Sequence, residues 1–197
     1  MGFPKPLLKI GGRAFVEYLS ATMLPSVSRL VIVLGAHSDR VRPVILNDSQ
    51  NDSSNDSPND SRIAVVENPD YALGQLSSLK VGLAQLDPAA GAALVHLVDH
   101  PTVSPATFKN LIGEYQRSGK PIVIARYRGR RGHPVIFDRS VFRELLDAPL
   151  EEGARAVVNR DSARVGYLET DDAGVVLDLD TPADLERARL PLPPCSR

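Results

Sequence analysis

Four short apolar runs rich in branched residues constrain the fold more than anything else in this chain: Leu30–Leu34, Ile63–Val66, Ala93–Val98 and Pro121–Ala125. Their hydrophobicity is close to continuous rather than alternating, which predicts strands covered on both faces and hence a largely parallel sheet. Segments with helical spacing lie between them, over residues 12–23, 38–46, 77–87 and 104–118. The last opens on Ser104-Pro105, a capping hydroxyl followed by proline at the first helical position. Alternation of strand and helix predicts an α/β fold with right-handed crossovers. Beyond residue 126 the pattern is less regular, with short strands at His133–Phe137 and Ala163–Leu168 and a closing helix over Thr181–Leu190, Thr181 being its cap.

A chain of 197 residues with 43% hydrophobic side chains can bury the core of one large domain, expected over residues 1–190, with a tail at 191–197. A net charge of -1 leaves no electrostatic footprint for nucleic acid or an anionic membrane. No run approaches the ~20 apolar residues that span a bilayer, and the N-terminus lacks the pattern of a signal peptide. The single cysteine, Cys195, excludes an internal disulfide framework. A cytoplasmic location is the expectation. Asn47–Arg62 consists of four copies of Asn-Asp-Ser-x. It lacks the glycine turn and bidentate glutamate of a calcium loop, and reads as a tandem repeat in a tolerant, solvated surface loop.

Four segments carry residues suited to chemistry. The first, Val95–Pro101, places Asp99 at the end of a predicted strand, where open α/β sheets bind ligands. A carboxylate there serves either as a hard oxygen ligand for Mg2+ or as a turn or capping acid. Asp178-Leu179-Asp180-Thr181-Pro182-Ala183-Asp184 supplies a second acidic group. Thr181 and Asp184 have capping-box spacing, whereas Asp178 and Asp180 share one side of an extended segment. In Asn68–Leu79, Gly74 frees the backbone ahead of Ser77 and Ser78, so a helix N-terminus there is either an ordinary cap or a site for an anion or nucleobase. Tyr127–Val135 contains Arg128, Arg130, Arg131, Gly132 and His133. It reads as a solvated basic loop or as a clamp for an anionic second substrate, since guanidinium forks match phosphate oxygens. His96 reads as a packed core residue, while His37 and His100 are weaker candidates; no Cys/His pair has zinc spacing and no Gly-x-Ser-x-Gly elbow occurs.

Together with Met1-Gly2-Phe3-Pro4-Lys5-Pro6-Leu7-Leu8, these segments resemble, in order, the motifs of the MobA-like NTP transferases, most closely the molybdenum cofactor cytidylyltransferases. In that family a strand and a Gly-rich turn precede the Met-Gly-x-x-Lys motif, and neither is in this sequence, so the resemblance implies only part of a triphosphate site. It further implies a Rossmann-like three-layer α/β/α fold. Gly2, Lys5, Asn68, Gly74, Ser77 and Ser78 would bind the nucleotide. Arg131, Gly132 and His133 would face the acceptor. Asp99 with Asp178 or Asp180 would hold Mg2+, and Lys5 and Asp99 would be catalytic. The implied reaction moves a nucleoside monophosphate, CMP rather than GMP, from an NTP to a phosphorylated acceptor such as molybdopterin, releasing pyrophosphate. A molybdoenzyme or its chaperone is the implied protein partner. The alternatives are a non-catalytic descendant that binds a ligand or partner, and a sugar-phosphate nucleotidyltransferase. Gln75-Leu76, and Glu151-Glu152-Gly153-Ala154-Arg155 with its displaced acid, depart from the family pattern.

Overall fold

A computed structural model describes residues 4–47 and 61–179. Gly2, Asp180, most of the Asn-Asp-Ser repeat, the expected helix at 181–190 and the tail lie outside the described residues.

The chain enters through a 3-10 turn, Lys5–Leu7, and a small hairpin of β1 (Lys9–Ile10) and β2 (Arg13–Ala14). Gly11 and Gly12 join them with φ of 56° and 86°. A two-residue hairpin turn needs positive φ at both positions, and paired glycines adopt it without strain. The turn occupies residues assigned to a helix from sequence, so α1 begins later, at Phe15–Met23. Glu17 marks that start, its carboxylate accepting the Ala14 N–H at 2.6 Å.

β3 (Leu30–Leu34), α2 (Ser38–Asn47) and β4 (Ile63–Glu67) follow, and β3 pairs with β4 in parallel from Leu30↔Ile63 to Leu34↔Glu67. After α3 (Gln75–Ala84) a four-stranded sheet runs in the order β5-β7-β6-β8. Its strands are β5 (Ala92–Val95), β6 (Ile122–Tyr127), β7 (Arg130–Asp138) and β8 (Val165–Glu169). β6 and β8 are parallel, but β7 runs antiparallel to both β5 and β6. The cause is local. Arg128 and Gly129 close a two-residue turn with φ of 48° and 77°, and such a turn forces antiparallel pairing where a parallel pair needs a long crossover.

Two helical layers cover the strands. β6 divides its side chains between them: Ile122 and Ile124 pack with Leu83 of α3, Leu145 of α5 (Phe142–Asp147) and Val157 of α6 (Arg155–Arg160). Val123 and Ala125 pack with Leu111 of α4 (Pro105–Ser118) and with Val175. The alternation is the period of a strand buried on both faces. α4 has both of its expected ends. The Ser104 hydroxyl accepts the Thr107 N–H at 3.2 Å, and Gly119, at φ 61°, sends its N–H back to the Tyr115 carbonyl. Across the second layer Glu144 of α5 accepts from Arg160 and Arg164, and the Arg164 bond holds its carboxyl below the usual range.

Candidate active site

Three segments far apart in sequence converge at one end of the strands. Leu7, Leu34 and Val98 belong to a single apolar cluster, which places the N-terminal turn where β3 finishes and just beyond β5. There the Lys5 ammonium lies 3.7 Å from Asp99 Oδ2, with side chains 33% and 23% exposed. The Leu179 N–H donates to the Asp99 carbonyl at 2.7 Å, tying the second acidic segment to the first. Asp99 is not the last residue of a strand, as its sequence setting implied. β5 stops at Val95, and Leu97–His100 form a turn closed by His100 N–H to the Leu97 carbonyl at 3.2 Å. Asp178 follows the 3-10 turn Ala173–Val176 and is exposed. Among the described residues no three His, Cys, Asp or Glu side chains stand ready to hold a metal. One donor is nonetheless suited to a hard cation: Asp99 Oδ1 is buried without a hydrogen-bond partner.

The Asn68–Ser78 segment is knitted to itself. Asn68, 1% exposed, takes the Leu34 carbonyl on its backbone N–H and donates from Nδ2 to Ser77 Oγ at 2.8 Å and Ser78 Oγ at 3.0 Å. Ser77 Oγ in turn donates to the Gly74 carbonyl at 2.8 Å. Gly74, at φ 99°, turns the chain into α3, two residues earlier than expected. Asn68 and Ser77 therefore shape the loop, while Tyr71 and Leu73 are its exposed surface, 47% and 55%. Tyr71 also packs so closely over Gly35, at the end of β3, that a Cβ there would fall 2.6 Å from its own.

The basic segment is a hairpin rather than a loop. Arg131, exposed on β7, donates to Asn159 Oδ1 at 3.1 Å and to the Tyr167 hydroxyl at 2.5 Å. Arg126 stacks on the same Tyr167 ring, its guanidinium carbon 4.2 Å from the centroid. His133 is engaged elsewhere, its ring 5.5 Å from that of His100 and 6.3 Å from that of His96. Gly132 lies between them against the Val175 carbonyl. Arg131 and His133 thus do not close on one point. Burial pushes the His133 imidazole down to about 4 and that of His96 to about 3, so both are neutral at neutral pH.

Sequence reading missed Asp172. Its Oδ2 accepts from Ser104 N–H at 2.9 Å and Thr107 Oγ1 at 2.6 Å, and its Oδ1 accepts the Gly174 N–H at 3.0 Å. It fastens the start of α4 to the turn that leads into Asp178. Nothing local marks it, because its partners on α4 lie 65 and 68 residues away.

Residues 1–165 match the MobA-like NTP transferase domain. This chain belongs to the MobA-like NTP transferase family. The MobA-like chain is 28% identical over 165 residues to the molybdenum cofactor cytidylyltransferase of Escherichia coli K12, covering 82% of this chain and 74% of that protein. Among solved structures it is similar to Rv0371c of Mycobacterium tuberculosis H37Rv, with a TM-score of 0.74, 28% identity and coverage of 95% and 90% of the two chains. A second structure of Rv0371c, described as a complex with manganese, gives a TM-score of 0.70 at 28% identity, covering 93% and 90%. At 17% identity the 4-diphosphocytidyl-2C-methyl-D-erythritol synthase of Anaerococcus prevotii has a TM-score of 0.70 over 95% and 89%, a likeness of fold. The α/β architecture is the Rossmann-like nucleotidyltransferase fold. Among the described residues no helix is long and apolar enough to cross a membrane.

Proposed function

We propose that this MobA-like domain transfers a nucleoside monophosphate from an NTP, CTP in preference to GTP, to a phosphorylated acceptor of the molybdopterin class. In the reaction an acceptor phosphate oxygen forms a bond to the α-phosphorus of the NTP. The bond from that phosphorus to the bridging oxygen breaks, and pyrophosphate leaves. The observation that carries this reading is the convergence of Lys5, Asp99 and the 178–179 backbone, three separate family motifs, at one end of the strands. Lys5 supplies a cation beside the developing negative charge. Asp99 Oδ1, buried without a hydrogen-bond partner, has the donor chemistry for a divalent cation, Mg2+ in this reading, with Asp178 or Asp180 as the second acidic ligand that the family motif implies. Such an ion supplies charge neutralisation across the phosphates when bound. In this reading the Asn68–Ser78 loop, at the N-terminus of α3, meets the nucleotide, and Arg128 in the turn and Arg130 just after it belong to the hairpin expected to meet the acceptor. Cytidylyl transfer draws support from the Escherichia coli relative, whose name carries that activity.

Pyrophosphate release with CTP or GTP and a molybdopterin acceptor tests the reading. Relative to the wild-type chain assayed with CTP, Asp99→Asn is expected to lose at least a hundredfold in kcat while keeping its melting temperature. Turnover of Asp99→Asn at the wild-type rate removes Asp99 from the site. One observation favours a second reading, a ligand-binding relative without transfer activity: Lys5 is paired with the carboxylate that a metal would need. CTP binding by calorimetry without any pyrophosphate release selects that reading.

A further inference from the structure

Among the described residues, the buried side-chain polar atoms without a hydrogen-bond partner fall on the stretch 96–102 and on β7: His96 Nδ1, Asp99 Oδ1, Thr102 Oγ1 and His133 Nδ1. Such atoms are uncommon in folded proteins, and each needs a physical reason. Among them stands His100, whose side chain is 12% exposed and whose ring lies 5.5 Å from that of His133 and 6.4 Å from that of His96. Its Nε2 faces Asp99 Oδ1 at 4.0 Å, beyond hydrogen-bond reach. Its Nδ1 lies 3.4 Å from the Gly174 carbonyl. A carbonyl only accepts, so Nδ1 carries the proton and, in the neutral ring, Nε2 presents a lone pair. His96 does not supply a donor to Asp99, because its Nε2–H goes to the His100 carbonyl at 3.0 Å and burial keeps the ring neutral. Asp99 Oδ2 is turned to Lys5. An imidazole lone pair and a carboxylate lone pair are thus held facing each other, an arrangement that repels until a cation joins them. Bonds of about 2.0–2.1 Å from a nitrogen and an oxygen to one divalent ion span up to about 4.2 Å, so a shared ion is within reach of both.

We propose that His100 Nε2 is a nitrogen ligand to the cation bound by Asp99 Oδ1, and that it shifts the preference of the site from Mg2+ towards borderline transition ions such as Co2+ and Zn2+. The inference rests on the reading of Asp99 as a metal ligand. Mg2+ is satisfied by oxygen donors, whereas imidazole suits the borderline ions, so the nitrogen adds affinity for one class and little for the other. The setting of His100 is that of a metal-bound histidine, which gives its other ring N–H to a backbone carbonyl that fixes tautomer and ring orientation. Here that carbonyl belongs to Gly174, whose own N–H is held by Asp172 Oδ1 at 3.0 Å. Asp172 therefore positions the ring through the Ala173–Val176 turn.

Calorimetry on the untagged 197-residue chain measures Co2+ binding directly and Mg2+ binding by competition with it. His100→Gln is expected to bind Co2+ at least tenfold more weakly than the wild-type chain and Mg2+ within threefold of it. Equal weakening for both ions, or for neither, overturns the proposal. Asp99→Asn separates the two readings, since it is expected to weaken both ions at least tenfold. If it does so while His100→Gln weakens neither, the nitrogen ligand alone is refuted; if Asp99→Asn weakens neither, Asp99 is no ligand and both readings fall. Nitrogen-15 NMR of the histidine-labelled wild-type chain, which holds four histidines, makes the test independent of how the variants fold. Zn2+ is expected to shift the His100 Nε2 signal. A shift confined to the exposed His37 overturns the proposal as surface binding, and a His100 Nε2 that keeps a proton with Zn2+ bound overturns it as a plain ion pair with Asp99.

Discussion

Replacing Gly132 by alanine tests how the second acidic segment is held. An added Cβ would lie 1.9 Å from the Val175 carbonyl oxygen, 2.7 Å from its carbon and 2.8 Å from Val175 Cγ1. Ordinary contact begins near 3.4 Å, so the two backbones must separate by about 1.5 Å, the difference of 3.4 and 1.9. No rotamer change can provide that, since the clash is with main chain. β7 is fixed by pairing on either side of Gly132, at Arg131↔Arg126 and Val135↔Ile124, so the 173–176 turn is the part that gives way. Val175 is 0% exposed among Leu111, Val123, Ala125 and Ile136, and withdrawing a buried valine costs about 1.5–3 kcal/mol. Disturbance of the Asp172 bonds adds about 1 kcal/mol. The expected loss is thus about 2.5–4 kcal/mol, read as a lower urea midpoint at unchanged m-value. Gly113→Ala is the control: it lies exposed within α4 with nothing within 4 Å of an added Cβ, and should stabilise by up to ~1 kcal/mol. A Gly132→Ala variant within 0.5 kcal/mol of wild type, about the uncertainty of such comparisons, would refute the clamp.

Three further outcomes are expected. Asp172→Ala leaves the Ser104 and Gly174 N–H groups and the Thr107 hydroxyl to find other partners, and should lower stability by about 2 kcal/mol, whereas a change under 0.5 kcal/mol contradicts its role. Leu111→Ala, at a site 0% exposed, should cost about 2–5 kcal/mol by urea unfolding; a smaller loss would show that α4 is loosely seated. Acid should destabilise the fold through His96 and His133. Burial holds their pKa values at about 3 and about 4, below the ordinary 6.5, so the unfolded chain takes up protons first. Their contribution is complete above pH 6.5 and falls away below it, by about 2 kcal/mol per histidine at pH 5. A urea midpoint that is flat from pH 7.5 to 5 would contradict this.

The parts of the fold legible in the sequence are those whose cause is local. Leu30–Leu34 reads as a buried strand because every side chain is apolar, and α4 announces itself with Ser104-Pro105 at its start. β7 was only half visible, since Arg130-Arg131-Gly132 looks like a polar loop until the Arg128-Gly129 turn sets its direction. Lys5 and Asp99 were legible as family motifs of one site, but the ion pair between them was not. Nor was the end of β5 at Val95, since the apolar run continues through Val98. Asp172 was beyond reach for a different reason: tertiary partners alone give it work.

The self-contained hydrogen bonding of Asn68 and Ser77 separates rigidity from recognition within a single loop. Its shape is set from inside, by an amide and hydroxyls that face one another, whereas Leu73 and Gln75 are exposed and make none of those bonds. The loop is therefore a socket with an exchangeable insert. If the loop meets the nucleotide as proposed, substitutions at the outward positions retune what is held at the helix N-terminus one side chain at a time, each intermediate keeping the same backbone. Changes at Asn68 or Ser77 would dismantle the mount and lose every specificity at once. Selection for a new ligand thus has a smooth path across the outward residues and a cliff at the inner two.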